Sequence, residues 1–150
     1  MSEHRARIDW KRDTKDFSYE TYSRSHTWSF EGGVVVPASS APEYLGDPTR
    51  VDPERALVAA LSSCHMLTFL ALAARRRLVV NAYRDEAVGF MEKNAEGKLA
   101  VTRVVLRPAV EFEGPKPPSA AELEKLHHLA HEHCFIANSV RTEVTVEPQG

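Results

Sequence analysis

Two cysteines, Cys64 and Cys134, are the residues of this chain most suited to redox chemistry. Cys64 lies in the most apolar segment of the sequence, residues 56–70, and Cys134 ends a histidine-rich stretch, residues 127–134. One thiol in apolar surroundings and a second thiol far along the chain suit a two-cysteine redox cycle. Because burial disfavours the thiolate, a reactive cysteine in such a place requires a cationic neighbour.

Each cysteine also has a simpler interpretation. Cys64 fits a small core residue, since free cysteine is among the most buried residue types. Cys134 fits an inert thiol at a helix end. Their separation of 70 positions neither requires nor forbids a disulfide, because bonding depends on spatial proximity.

The histidines before Cys134 allow two interpretations. His127 and His131 are four residues apart, and Cys134 follows three residues later. On a helix this is the spacing of metal ligands, so a His-His-Cys zinc site is one hypothesis. A solvated helix face is preferred, because the segment contains neither Cys-x-x-Cys nor His-Glu-x-x-His. His65 points about 100° away from Cys64 on a helix and is interpreted as a packing or interface residue.

Composition and length exclude several classes of function. The 150 residues, with 19 Lys and Arg against 21 Asp and Glu, predict one domain over residues 1–150 and no attraction to nucleic acid or an anionic membrane. The polar N-terminus lacks the apolar region of a signal peptide, which predicts a cytoplasmic protein. Residues 56–74 are long enough to span a membrane, but the polar centre Ser62–His65 favours a buried helix.

The elements that position these residues are predicted from periodicity and turn signals. Strands are predicted at residues 17–30, 34–36, 79–92, 99–113 and 140–147. The third and fourth strands form a hairpin, and Ser119 with Glu122 makes a capping box that begins a second helix. With the central helix the order is β-β-α-β-β-α-β, which predicts an α+β fold of mostly antiparallel, curved sheets packed on two helices.

The central helix is predicted to run from Asp52 to about Arg76. Asp52 is a good N-cap, Pro53 suits the first turn, and Glu54 favours the positive end of the helix. One face is predicted to carry Leu57, Leu61, Cys64, Thr68, Ala71 and Arg75. The other faces are also largely apolar, so we expect the helix to be enclosed on all sides, partly by a second subunit.

Two motifs resemble the OsmC/Ohr family of peroxide-detoxifying proteins. The first is residues 51–65, in which Asp52-Pro53-Glu54 begins a long helix and Ala-rich turns lead to Ser63-Cys64. The second is the late cysteine in residues 134–140, which precede the last strand. The resemblance covers about Tyr19 to Val146 and includes the order of the elements.

The resemblance implies an enzyme that reduces organic hydroperoxides to alcohols without a cofactor. Cys64 would be the peroxidatic cysteine, whose thiolate attacks the peroxide and becomes a sulfenic acid. Cys134 would be the resolving cysteine, which forms an intramolecular disulfide with Cys64. A dithiol reductant, which in this family can be a lipoylated protein, would then reset the enzyme.

The resemblance also implies that Glu54 holds an arginine over the thiolate. Arg24 and Arg50 are the candidates, and Arg24 is preferred because a strand residue is better held than a loop residue. Glu54 and Cys64 are ten residues apart on one predicted helix, roughly 15 Å along its axis. Either the helix breaks near its start or Glu54 serves the Cys64 of a partner. The second alternative, with the apolar helix, favours an intertwined homodimer with composite sites.

Apolar side chains of the Cys64 helix indicate which class of peroxide the protein would prefer. The side chains predicted to contact the tail of an organic hydroperoxide are Leu57, Leu61, Met66, Phe69 and Leu70. Each buried methylene contributes about 0.8 kcal/mol, which hydrogen peroxide cannot gain. Two other classes stay open: a metal-binding protein using the His-His-Cys set, and a non-redox OsmC-like dimer that binds an acyl-like ligand.

Overall fold

The computed structural model describes all 150 residues, which form two compact units, residues 1–56 and 57–150. The first unit contains strands β1 (Arg7–Asp9), β2 (His26–Ser29) and β3 (Val35–Ala38). They form an antiparallel sheet in the order β1-β2-β3, and a 3-10 turn at Pro42–Tyr44 follows. The strand predicted at residues 34–36 continues through Pro37, because β3 is an edge strand and tolerates a residue without an N–H group.

Of the predicted strand at residues 17–30, only the end, β2, is extended, and residues 18–22 form a turn. The backbone N–H groups of Thr21 and Tyr22 both donate to the Ser18 carbonyl. The Asp16 carboxylate accepts a hydrogen bond from the Thr21 hydroxyl at 2.9 Å. Phe17 and Tyr22, which fall within this predicted strand, instead belong to an aromatic cluster, described below.

Helix α1 (Pro53–Arg75) begins in the first unit and continues into the second. Asp52 is its N-cap as predicted, since Asp52 Oδ1 accepts a hydrogen bond from the backbone N–H of Arg55 at 2.8 Å. By length and composition α1 could cross a membrane, a test that core helices of soluble proteins also pass. Only 22% of its most apolar 18-residue window is buried within the protomer.

The buried stripe of α1 differs from the predicted face. Its members, four residues apart, are Leu61, His65, Phe69 and Ala73. Cys64 and Thr68 lie beside this stripe and are partly exposed. The opposite side, about 200° around the helix, is exposed in the protomer and carries mostly small residues: Ala59, Ala60, Ser63, Leu67, Ala71 and Ala74. One protomer therefore does not enclose α1 on all sides.

The second unit contains two further sheets. The two predicted long strands each divide in two: the first into β4 (Val80–Asp85) and β5 (Val88–Lys93), the second into β6 (Leu99–Leu106) and β7 (Pro108–Phe112). The antiparallel pairings β4-β7 and β5-β6 confirm the hairpin, which now contributes to two sheets. At the division, the Asp85 carboxylate accepts the backbone N–H of Arg107 at 2.6 Å.

Helix α2 (Ala120–Glu132) and strand β8 (Glu143–Val146) complete the second unit. Ser119 caps α2 as predicted, since its hydroxyl accepts the backbone N–H of Glu122 at 3.2 Å. β8 pairs with β6 in parallel. The α+β fold is therefore confirmed, with eight strands in the order β-β-β-α-β-β-β-β-α-β.

Two apolar clusters form the core of the second unit. One joins Phe69 and Ala73 of α1 to Leu126 and Ala130 of α2. The other joins Leu61 of α1 to Val104 and Leu106 of β6, with Ile136 and Ala137 packed against it. Together they fix α1 against α2 and the segment that follows α2, and these elements carry the two cysteines.

Candidate active site

The two cysteines, 70 residues apart in sequence, are neighbours in the structure. Both are free thiols, and the Cys64 side chain is near enough to raise the pKa of the Cys134 thiol. Cys64 is in the middle of α1, and Cys134 follows the end of α2. The packing of these helices therefore brings the two thiols near each other.

The two thiols differ in their surroundings. Cys64 is partly exposed, whereas Cys134 is 1% exposed. Burial raises the pKa of the Cys134 thiol, and the neighbouring Cys64 raises it further. The backbone N–H of Ala137 donates to Cys134 Sγ at 3.4 Å, which acts in the opposite direction without reversing the net shift. In the protomer the Cys64 thiol is therefore the more accessible of the two, and the Cys134 thiol is enclosed.

A pair of buried histidines lies on the same two helices. His65 Nε2 and His127 Nδ1 are 3.0 Å apart and share a hydrogen bond, and the His127 ring stacks on Phe69 with centroids 4.4 Å apart. Burial lowers the pKa of each histidine to about 4, so both are neutral at pH 7. The remaining ring nitrogens, His65 Nδ1 and His127 Nε2, are buried without a partner. The His127 ring also lines a cavity of about 540 Å³ between α2, β8 and residues 148–150.

The structure corrects both predictions for the histidines before Cys134. His127 is 3% exposed, so it is not part of a solvated helix face. It does not form a metal site with His131 and Cys134 either, because no group of three or more His, Cys, Asp or Glu residues is placed to hold a metal ion. His65 is a packing residue as predicted. Its contact with His127 had no signal in the sequence, since 62 residues separate the two.

Arg24 lies in the first unit, against aromatic side chains. Its guanidinium lies over the Tyr22 ring, 3.6 Å from the centroid, and donates to the backbone carbonyls of Tyr22 and Tyr19, both at 2.5 Å. The reason for preferring Arg24 was wrong, because Arg24 precedes β2 by two residues and is not part of a strand. It is held instead by cation–π contact and by the turn at residues 18–22.

Arg50 has a structural role in the same unit. Its Nε donates to the Ala38 carbonyl at 2.9 Å and a terminal guanidinium nitrogen donates to the His26 carbonyl at 2.8 Å. These bonds tie the loop before α1 to strands β2 and β3. Although Arg50 is a loop residue, these hydrogen bonds hold it firmly. Its guanidinium is therefore already bonded to backbone carbonyls.

Glu54 and Arg24 line the same cavity, which has a volume of about 480 Å³ and lies within the first unit. The rest of the lining is mainly apolar and includes Trp10, Phe17 and Tyr22, whose ring centroids are 5.0 to 6.1 Å apart. Burial raises the pKa of Glu54, and the nearby carboxylates of Asp52 and Glu43 add to this. The sequence does not predict this aromatic cluster, because the pattern of residues 17–22 favours a strand.

Two further sequence predictions are corrected here. Helix α1 is unbroken from Pro53 to Arg75, so the alternative in which the helix breaks between Glu54 and Cys64 is wrong. Leu61 and Phe69 are fully buried in the core clusters, so neither lines an open cleft for a substrate tail.

Comparisons with known proteins agree with this architecture. Among solved structures, an OsmC-like protein of unknown function from Vibrio cholerae is 55% identical, with a TM-score of 0.94 over 99% of this chain and 100% of that chain. An organic hydroperoxide resistance protein from Legionella pneumophila has a TM-score of 0.72 at 16% identity, over 99% and 96% of the two chains. The organic hydroperoxide resistance protein OhrB of Bacillus subtilis has a TM-score of 0.68 at 14% identity, over 99% and 98%.

At such low identity, the Legionella and Bacillus proteins show a shared fold. A search of curated protein sequences found no match. The family model for OsmC-like proteins matches residues 46–149, which include α1, both cysteines and every element of the second unit. This chain therefore belongs to the OsmC-like family.

Proposed function

We propose that this protein is a cysteine-based peroxidase that reduces organic hydroperoxides to alcohols. The observation that carries the proposal is the pair of free thiols, Cys64 and Cys134, which the packing of α1 and α2 brings near each other. The shared fold with two organic hydroperoxide resistance proteins supports the same chemistry.

The proposed cycle follows from the different surroundings of the two thiols. The Cys64 thiolate attacks the terminal peroxide oxygen, the O–O bond breaks, and the alkoxide leaves as an alcohol after taking a proton. Cys134 then attacks the sulfenic sulfur of Cys64, and hydroxide leaves as water once protonated. This order fits the exposure of the thiols, because peroxide reaches the partly exposed Cys64 while Cys134 stays enclosed until the sulfenic acid forms. A dithiol such as a lipoylated protein reduces the disulfide.

Arg24 is the preferred source of the positive charge that favours the Cys64 thiolate. It lines the same cavity as Glu54, whereas the guanidinium of Arg50 is bonded to two backbone carbonyls. The apolar and aromatic lining of this cavity suits the tail of an organic hydroperoxide better than hydrogen peroxide. We therefore expect a higher kcat/KM with cumene hydroperoxide than with hydrogen peroxide.

A homodimer with composite sites is the proposed assembly. Because α1 is unbroken, the remaining alternative is that Glu54 of one protomer serves Cys64 of its partner. A second copy packed on the exposed side of α1 would cover the stripe of small residues that includes Ala60 and Leu67. It would also cover apolar residues that the first unit exposes, such as Ile8 and Trp10.

A charge on the exposed side of α1 tests this assembly. Leu67 and Leu99 are each 61% exposed in the protomer, so Leu99→Glu is a matched control for Leu67→Glu. We expect Leu67→Glu to shift the mass measured by light scattering towards that of a monomer and Leu99→Glu to leave a dimer. A wild-type protein that is monomeric at micromolar concentration would contradict the assembly.

Mass spectrometry tests the redox cycle directly. Treating the reduced protein with one equivalent of cumene hydroperoxide should remove two hydrogens and link the Cys64 peptide to the Cys134 peptide. The Cys134→Ser variant should instead retain a sulfenic acid on Cys64, detected by a dimedone adduct. Full peroxide turnover by Cys64→Ser would overturn the proposal and favour a non-redox, ligand-binding dimer.

A further inference from the structure

A buried hydrogen bond joins the two helices that position the cysteines. His65 Nε2 on α1 and His127 Nδ1 on α2 are 3.0 Å apart, and the planes of the two rings differ by only 7°. His65 directly follows Cys64, and Cys134 lies seven residues after His127, just beyond the end of α2. The bond therefore lies between the elements whose relative placement decides how close the two thiols are.

As a source of stability, this histidine pair is a poor choice. Because burial lowers the pKa of each ring to about 4, both rings are neutral at pH 7 and share one N–H and one lone pair in their bond. The other two ring nitrogens are buried without a partner, which costs stability. Apolar side chains of similar volume in place of a buried polar pair are often neutral or stabilising. The specificity of the bond therefore explains the pair better than the stability it adds.

The bond provides a directional contact between α1 and α2. The core cluster that also joins these helices, which includes Phe69 and Leu126, is apolar, and apolar contacts do not depend on orientation. A hydrogen bond weakens steeply when its atoms move out of line. Sliding a helix by one residue moves its atoms about 1.5 Å, whereas the Cβ···Cβ distances of disulfides span only about 1 Å. A small shift in register is therefore enough to separate the two thiols.

We propose that His65 and His127 are positioning residues, whose hydrogen bond fixes the register of α1 on α2 and so holds Cys64 and Cys134 in the arrangement from which their disulfide forms. The inference rests on the peroxidase cycle proposed above, in which that disulfide is an intermediate. It requires no open surface, because His65 and His127 are 1% and 3% exposed within one protomer. A partner packed on the outer side of α1 therefore leaves this role unchanged.

The test measures how readily the folded protein forms the Cys64–Cys134 disulfide. The protein is equilibrated at pH 7.5 with dithiothreitol, so that protein dithiol and oxidised dithiothreitol exchange with protein disulfide and reduced dithiothreitol. Samples are quenched in acid, alkylated with N-ethylmaleimide and mapped by mass spectrometry. We expect the double variant His65→Leu/His127→Leu to lower the equilibrium constant by about tenfold. In urea unfolding, the reduced double variant should be at least as stable as the reduced wild type.

Two further variants separate positioning from stability. Ser119→Ala removes the cap of α2 and leaves the histidine pair in place, so it should lower stability and change the equilibrium constant by less than about threefold. His127→Asn places an amide close to the position of Nδ1 and should retain more of the equilibrium constant than His127→Leu. This second comparison decides the question if the double variant does not fold.

The outcomes distinguish the inference from the cycle on which it rests. A wild-type equilibrium constant in the double variant would overturn the positioning role and leave the peroxidase cycle intact. An equally large fall in Ser119→Ala would do the same, because loosening of α2 would then be the cause. If wild-type protein does not form the Cys64–Cys134 disulfide at all, the intermediate is lost and the proposed cycle falls with it.

Discussion

The two units of this protein differ most in how they bury apolar side chains. In residues 57–150, Phe69, Leu61 and Leu126 are fully buried in core clusters, which hold together α1, which carries Cys64, and α2, which Cys134 follows. In residues 1–56 the buried side chains are small or polar, such as Ala38, Ser39 and Asp52.

The first unit also exposes most of the chain's large exposed apolar residues, among them Ile8, Trp10 and Phe17. Monomeric proteins seldom expose such a surface unless it binds something. The comparison indicates that the unit with the thiols can hold its own geometry. The unit with Arg24 and Glu54 instead leaves most of its large apolar side chains exposed.

The largest change in stability is expected from a cavity in the core of the second unit. Phe69→Ala removes a fully buried ring that packs on His127 and Tyr83, and we expect it to lower the free energy of unfolding by about 3–5 kcal/mol. The matched change in the first unit is Phe17→Ala, where the ring is 65% exposed, and we expect less than about 1 kcal/mol. Urea unfolding followed by circular dichroism measures both. Equal losses would break the contrast between the units.

Acid should weaken the second unit through its buried histidine pair. The folded protein lowers the pKa of His65 and His127 to about 4 from 6.5, so the unfolded chain binds more protons between these values. The contribution of this pair to the free energy of unfolding is therefore fully present above pH 6.5 and is lost as the pH falls towards 4. Between pH 7.5 and 5 each histidine accounts for about 2 kcal/mol.

The His127→Gln variant tests this assignment. The variant should lose less stability than the wild type between pH 7.5 and pH 5, because one of the two titrating groups is gone. His128→Gln is the control on the same helix, since His128 is exposed and lies 3.0 Å from the Glu132 carboxylate. A wild-type pH dependence in His127→Gln would show that the buried pair does not carry the effect.

Substitution of Arg24 tests whether the first unit supplies the positive charge that favours the Cys64 thiolate. An unassisted cysteine is only a few per cent thiolate at pH 7, so Arg24→Met should slow the reaction of Cys64 with cumene hydroperoxide by about 30-fold. Stopped-flow measurement of a single turnover gives this rate. Arg50→Met should instead lower the unfolding free energy, because Arg50 holds backbone carbonyls of β2 and β3. The opposite pattern would assign the charge to Arg50.

The smallest expected effects are at the two helix N-caps, one in each unit. Ser119→Ala removes the acceptor for the Glu122 N–H and should cost about 1 kcal/mol of stability. Asp52→Ala should cost more, because Asp52 is buried and also forms an ion pair with Arg55 at 2.5 Å. Thermal unfolding of the two variants compares them. A larger loss at Ser119 would contradict this order.

Local signals in the sequence predicted the helices well and the strands less well. Asp52 and Ser119 mark helix starts because capping is a contact between residues three apart. The alternation at residues 17–22 predicted a strand wrongly, because Phe17 and Tyr22 pack on each other and on Trp10 across a turn, whereas on a strand they would lie on opposite faces. The division of the two long strands at Asp85 and Arg107 depends on pairing between distant segments and has no local signature.

The sequence by itself determined the fold class, the two helix starts and the family, because these depend on local periodicity, capping and motifs at recognisable spacing. Only the tertiary structure decided that Cys64 and Cys134 are neighbours, that His65 rather than Cys64 occupies the buried stripe of α1, and that Arg24 shares a cavity with Glu54. The physical reason is that burial and proximity arise from packing between elements that are tens of residues apart, and spacing along the chain does not carry that information.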